Sequence, residues 1–113
     1  EGVHYMIDLQ PYWSPDVEHC GVILKDLSIV QLPNLSPTPT ESFEMDVEQV
    51  LALDPIATWH THPRTGPNLS APDYLLYLQH PKLWHYIVGC TGETWCYFVE
   101  DGVVLLHEDP DQA

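Results

Sequence analysis

Two histidines separated by one residue and an acid thirteen residues after the first form the most informative chemical pattern in the sequence. His60 and His62 lie in the string WHTHP, which has strand character. Because side chains alternate in direction along a strand, both imidazoles point to one face and can share a metal ion. Asp73 follows a short loop at a predicted helix start, where it can supply a third ligand. The fourth tetrahedral position then remains open for water, as in catalytic zinc sites.

Hydrolysis at such a site also requires a group that takes a proton from the water and returns it. Zinc lowers the pKa of bound water to about 7, so hydroxide is available near neutral pH. Glu18, at the head of an apolar stretch, is the best placed carboxylate for the proton transfer. Ser70, at the helix start, can donate a hydrogen bond to the oxyanion of a tetrahedral intermediate.

Each part of this pattern also has an ordinary structural interpretation. A His-x-His pair is common on exposed edge strands, and Ser70 with Asp73 alone is a helix capping box that contributes about 1 kcal/mol. An acid such as Glu18 beside a strand is usually solvated. The functional interpretation is favoured because His-x-His-Pro, a short loop and Ser-x-x-Asp occur in order, with strand, loop and helix signals at the matching places.

The elements that must position these residues follow from hydrophobic periodicity and from Gly and Pro punctuation. A short N-terminal helix within residues 3–19 would be ended early by Pro11 and Pro15. The predicted strands are residues 20–24, 27–32, 56–62, 84–90, 95–100 and 103–107, and the predicted longer helices are 43–53 and 70–80. The sequence therefore predicts one domain over residues 1–113, of the mixed α/β (α+β) class, with a mostly antiparallel sheet flanked by two or three helices.

The net charge of the chain indicates which classes of binding partner are favoured. Seventeen acidic residues against three lysines and arginines give a formal charge of -14, which disfavours nucleic acid and anionic lipid surfaces and favours a basic or neutral partner. The same charge could serve solubility alone. No apolar run is long enough to span a membrane, and no secretory signal pattern is present, so the chain is expected to be soluble.

The three cysteines lack CxxC spacing, so neither a disulfide framework nor a cysteine zinc site is indicated, and ordinary thiols are the default. Cys90 and Cys96 flank a predicted turn around Gly92. A three-residue loop would place them opposite each other, whereas a two-residue loop would offset them. The histidines outside the pattern, which are His4, His19, His80, His85 and His107, are expected to be surface or ordinary packed side chains.

The strings HTHPRTGPNLSAPD and EHCGVIL resemble the signature of the JAMM (MPN-type) zinc metallopeptidases, which is His-x-His-Pro, a short loop, Ser-x-x-Asp and an upstream Glu-x-Cys-Gly segment. The resemblance implies a cytidine-deaminase-like core, one zinc ion and hydrolysis of peptide or isopeptide bonds. It implies that His60, His62 and Asp73 are zinc ligands, that Glu18 is the general acid and base, and that Ser70 orients the water and the oxyanion.

A finer likeness extends over most of the chain. The order of EHCGVIL, PNLSPTPTESFEMD, the histidine motif and LWHYIVG is similar to the N-terminal domain of phage tail assembly proteins of the lambda K type. It implies a protein or peptide substrate, with a peptidoglycan peptide among the candidates, other tail-tip proteins as partners, and a location in the virion tail tip. The other possible location is the cytoplasm, where the domain would act as a free-standing enzyme. The alternative function is a catalytically silent tail module that keeps the fold and the zinc site.

Overall fold

A computed structural model describes residues 7–107, and these form one sheet with two α-helices. The sheet has six strands in the order β2-β1-β3-β4-β5-β6. The elements are β1 (Cys20–Ile23), β2 (Ile29–Leu32), α1 (Val47–Leu53), β3 (Ala57–Thr61), α2 (Ala71–Gln79), β4 (Trp84–Val88), β5 (Thr94–Glu100) and β6 (Val103–His107), with a 3-10 turn at Gln10–Tyr12. The predicted mixed, mostly antiparallel sheet is confirmed, since only β3 and β4 pair in parallel.

The central strands β1 and β3 place the histidines next to the acid that precedes β1. Cys20 pairs with His60 in the antiparallel register, and the pairing extends beyond the strand ends because the Thr61 N–H donates to the His19 carbonyl at 2.9 Å. Continuing this alternation, Glu18 lies on the same face as His60. Both strands are buried along their whole length, which fixes their register.

Helix α2 is fixed against the sheet at both ends. Ser70 and Asp73 form a capping box at its start, with the Asp73 N–H donating to the Ser70 hydroxyl and the Ser70 N–H donating to the Asp73 carboxylate. At the other end, the Tyr77 ring stacks on the ring of His85 in β4, with centroids 4.0 Å apart. Packing of α2 on the sheet therefore determines where the Asp73 carboxylate lies.

The predicted start of the helix over residues 43–53 is wrong. Helix α1 begins only at Val47, because the Asp46 side chain accepts a hydrogen bond from the Glu48 N–H and so caps the helix there. Of the apolar side chains on α1, Val50 is buried whereas Val47 and Leu51 are more than half exposed. The segment before Asp46 is instead free to cross the face of the sheet that carries the histidines.

Two other expectations concern the N-terminus and the cysteines. Of the N-terminal helix expected within residues 3–19, the described residues 7–19 contain only the 3-10 turn, and residues 1–6 lie outside the described part. The turn that joins β4 to β5 lies earlier in the chain than expected, because Val88 pairs with Thr94, the Gly89 N–H donates to the Glu93 carbonyl, and Cys90 falls within the turn. Cys96 pairs with Tyr86, Cys90 lies exposed in the loop, and no disulfide links the cysteines. No helix within residues 7–107 is long and apolar enough to cross a membrane.

A buried histidine holds β3, β4 and α2 together in its neutral form. His85 is fully buried, its Nε2–H donates to the His80 carbonyl at 3.0 Å, and its Nδ1 accepts from the Thr58 hydroxyl at 2.7 Å. Burial lowers the pKa of His85 to about 4, against 6.5 for a free imidazole. This neutral tautomer satisfies both ring nitrogens, and protonation of Nδ1 would require the Thr58 hydroxyl to turn so that it accepts the hydrogen bond instead.

Protonation of His85 should therefore lower the free energy of unfolding of the metal-free protein as the pH falls. The folded state binds this proton less readily than the unfolded state, so the contribution is complete above pH 6.5 and is lost as the pH falls toward 4. Between pH 7.5 and 5.0 the loss from His85 is about 2 kcal/mol. Urea unfolding in EDTA at both pH values measures it, and His85→Gln should remove that part of the pH dependence. An equal pH dependence in the variant would contradict this assignment.

Candidate metal centre

Three side chains from β3 and α2 place their ligand atoms at one point at the carboxyl end of β3. The Nε2 atoms of His60 and His62 are 3.1 Å apart. The Asp73 Oδ2 lies 3.3 Å from the His60 Nε2 and 3.5 Å from the His62 Nε2. All three residues are buried, with exposed fractions of 6 % or less. The structure thus brings together the three residues that the sequence predicts as metal ligands.

The separations between these atoms fit a single small metal ion. Zinc binds nitrogen and oxygen at about 2.0–2.2 Å, so two ligands of a tetrahedral zinc are about 3.3–3.4 Å apart. The observed triangle, with sides of 3.1, 3.3 and 3.5 Å, matches one face of such a tetrahedron. Two imidazole nitrogens and one carboxylate are also a ligand set found in catalytic zinc sites.

The two rings present the lone pairs that a metal requires. The Nδ1 of His62 lies 2.8 Å from the Gly66 carbonyl, which can only accept, so Nδ1 carries a proton and the neutral ring presents its Nε2 lone pair to the site. Burial lowers the pKa of His60, which keeps that ring neutral. Burial also acts to lower the pKa of His62, but hydrogen bonds to Asp73 and Gly66 and the charge of Glu18 outweigh it and raise the pKa above 6.5.

The Asp73 carboxylate is held ionised in this buried position. Burial alone would raise its pKa, but hydrogen bonds with the two histidines and with the Ser70 N–H lower the pKa well below the ordinary value of 3.8. The acid also lies in the first turn of α2, where the helix dipole favours negative charge. One oxygen therefore serves both the helix cap and the candidate metal site.

Glu18 is the fourth member of the cluster and is also buried. One of its carboxylate oxygens lies within 4.8 Å of a ligand nitrogen of both His60 and His62. Burial raises the pKa of Glu18 to about 7, an effect that the charge of His62 reduces and that of Asp73 increases. A carboxyl group that titrates near neutral pH is suited to proton transfer. The same distance would also let Glu18 bind a metal directly. Glu18, His60 and His62 thus form a second possible ligand set, which the sequence pattern does not indicate.

The cluster opens into a cleft of about 230 Å³ between α2 and the segment before α1. Glu18, Ser70 and Asp73 line its inner end, and Phe43 and Leu76 line its walls. The Ser70 hydroxyl accepts from the Asp73 N–H at a long 3.4 Å, so its own proton is available to another acceptor. The oxyanion role of Ser70 stays a prediction.

Some residues that shape the site were not identified from the sequence. The Trp13 indole N–H donates to the His62 carbonyl at 3.0 Å. Asn34 and Phe43 also contact the site residues. No local signal marks such residues, because their contacts depend on long-range folding. Among residues 7–107, no second group of histidine, cysteine or acidic side chains clusters as Glu18, His60 and His62 do.

Comparisons with known proteins extend the description of the fold. No family model matches the sequence, and no curated protein matches it. The solution structure of the protein DSY2949 from Desulfitobacterium hafniense, solved by a structural genomics consortium, is similar with a TM-score of 0.65. The two sequences are 23 % identical, and the match covers 93 % of this chain and 84 % of that one. The chain shares its α+β fold with this protein.

Proposed function

We propose that this domain is a zinc-dependent peptidase or isopeptidase of the JAMM type, with His60, His62 and Asp73 as the metal ligands. The observation that carries the proposal is the buried triangle of ligand atoms, whose sides of 3.1, 3.3 and 3.5 Å suit one tetrahedral ion. The buried Glu18 carboxyl group, within 4.8 Å of ligand atoms of both histidines, supports a hydrolytic site because it can accept a proton from a metal-bound water. The resemblance of the histidine motif to the JAMM signature supports the same conclusion.

In this proposal the chain's own residues divide the work. A bound zinc ion would supply an activated water and polarise the substrate carbonyl. Glu18 accepts the proton of the attacking water on its carboxylate and delivers it to the leaving amine. The Ser70 hydroxyl donates a hydrogen bond to the oxyanion and keeps its proton.

The proposal is tested by loading the purified protein with one equivalent of zinc and assaying libraries of linear and isopeptide-linked peptides. We expect hydrolysis that EDTA abolishes and added zinc restores. Elemental analysis should give one zinc per chain. A protein without stoichiometric zinc would contradict the metal centre, whereas a zinc-loaded protein that cleaves nothing would favour the alternative of a silent module.

The assembly role in a phage tail stays a prediction from the resemblance. The strongly acidic charge and exposed apolar side chains such as Val47 and Leu51 on α1 are features expected of a docking surface with a basic partner. Association with proteins encoded beside it should slow as salt rises. Light scattering of the mixtures measures this, and a monomer that binds none of them yet turns over peptides would favour a free-standing enzyme.

A further inference from the structure

The ring of His60 differs from that of His62 in how its orientation is fixed. When the Nε2 atom of His60 binds a metal ion, the proton of the neutral ring is on Nδ1. This Nδ1 is buried and has no hydrogen-bond partner within residues 7–107, whereas the Nδ1 of His62 donates to Gly66. Metal-binding histidines usually donate their second nitrogen to an acceptor that orients the ring. His60 must therefore be oriented by another contact.

The contact is an aromatic side chain from the segment before α1. The Phe43 ring lies on the His60 ring, with centroids 4.2 Å apart and planes inclined by 25°. A ring held face to face cannot turn about its Cβ–Cγ bond without displacing its neighbour. Stacking on Phe43 thus restricts a rotation that would move Nε2 of His60 away from His62 and Asp73.

Phe43 is itself held in place by a side chain that also contacts the segment of the candidate base. The Asn34 carboxamide N–H groups donate to the carbonyls of Glu18 and Ser42 at 2.8 and 3.1 Å, and its oxygen accepts from the Glu44 N–H at 3.1 Å. These bonds tie down the residues on both sides of Phe43. One amide therefore links the backbone of Glu18 to the position of the stacking ring.

Glu18 is fixed by the same segment on its other backbone group, since its N–H donates to the Pro39 carbonyl at 2.7 Å. From these contacts we propose that residues 34–44 form a positioning clamp, in which Phe43 orients the His60 ring for metal binding and Asn34 couples that ring to Glu18. The inference rests on the proposed metal centre but does not require that the centre cleaves peptides.

Cobalt binding to the full chain tests the clamp. Phe43→Leu should lower the affinity for Co²⁺ by about 10-fold or more, the usual effect of losing a group that orients a ligand. It should also change the visible absorption of the bound Co²⁺, which reports ligand geometry. Phe43→Trp, which keeps a flat ring, should restore both. Phe98→Leu, which changes the chain's other phenylalanine on β5, is the matched control and should leave both unchanged.

Asn34→Ala provides a second variant that leaves the ring itself intact. It should also weaken Co²⁺ binding, because Phe43 is no longer held over His60. If Phe43→Leu fails to fold by circular dichroism, Asn34→Ala and Phe43→Met decide the question. Wild-type affinity and spectrum in folded Phe43 and Asn34 variants would overturn the clamp alone. A wild-type chain that binds no Co²⁺ would overturn the proposed metal centre and the clamp with it.

Discussion

Replacing His62 with alanine is expected to abolish stoichiometric zinc binding. His62 supplies one of three ligand atoms, and its loss leaves His60 and Asp73 as a pair 3.3 Å apart. Two ligands cannot hold zinc in the geometry that three ligands and a water provide. Dialysis against submicromolar zinc followed by elemental analysis measures the effect. We expect one zinc per wild-type chain and none in the variant.

Loss of zinc binding should also remove a stabilising effect of zinc, since a metal that binds only the folded state stabilises it. At a free zinc concentration 100 times the dissociation constant, this stabilisation is about 2.7 kcal/mol. Wild-type protein should therefore unfold more easily when EDTA is added, whereas His62→Ala should not respond. His19→Ala is the matched control, because His19 lies beside Glu18 but contacts Gln31. A zinc-loaded His62→Ala variant would contradict the ligand assignment.

The sequence predicted much of the arrangement of the candidate ligands, because their positions depend on local rules. Alternation along β3 places His60 and His62 on one face whatever the neighbouring strands are. The capping box formed by Ser70 and Asp73 is equally local, and it sets the direction of the Asp73 carboxylate. What these rules leave undetermined is the distance between strand and helix, which follows from packing of Tyr77 on His85.

The parts that the sequence did not predict depend on contacts across the fold. The helix expected from residue 43 was wrong because Phe43 contacts His60, so its apolar character reflects packing over the site and not the face of a helix. No local pattern marks Asn34, yet its carboxamide hydrogen-bonds the Glu18 carbonyl and the Glu44 N–H. Similarly, the sequence suggested Glu18 only as a proton carrier, whereas its distance from the histidines also permits metal binding.

Replacing Glu18 with glutamine separates these two roles. If Glu18 transfers the proton, the glutamine variant should bind zinc as tightly as the wild type and lose peptide turnover by about 10²–10⁴-fold. Glutamine has nearly the same shape as glutamate and removes only the charge and the basicity. If Glu18 is instead a metal ligand, the same variant should lose zinc together with turnover, and Asp73→Asn should retain more zinc than Glu18→Gln does.

The measurement pairs zinc content with kcat/KM for each variant, with Glu100→Gln as the control because this glutamate lies exposed at the end of β5. In the wild type, the pH profile supplies an independent reading. Burial raises the pKa of Glu18 to about 7 in the metal-free protein, and a bound cation would lower that value because it favours the carboxylate. The acid limb of kcat/KM should therefore lie below pH 7 and be absent from any residual activity of Glu18→Gln. Full turnover in the zinc-loaded variant would show that another group carries the proton.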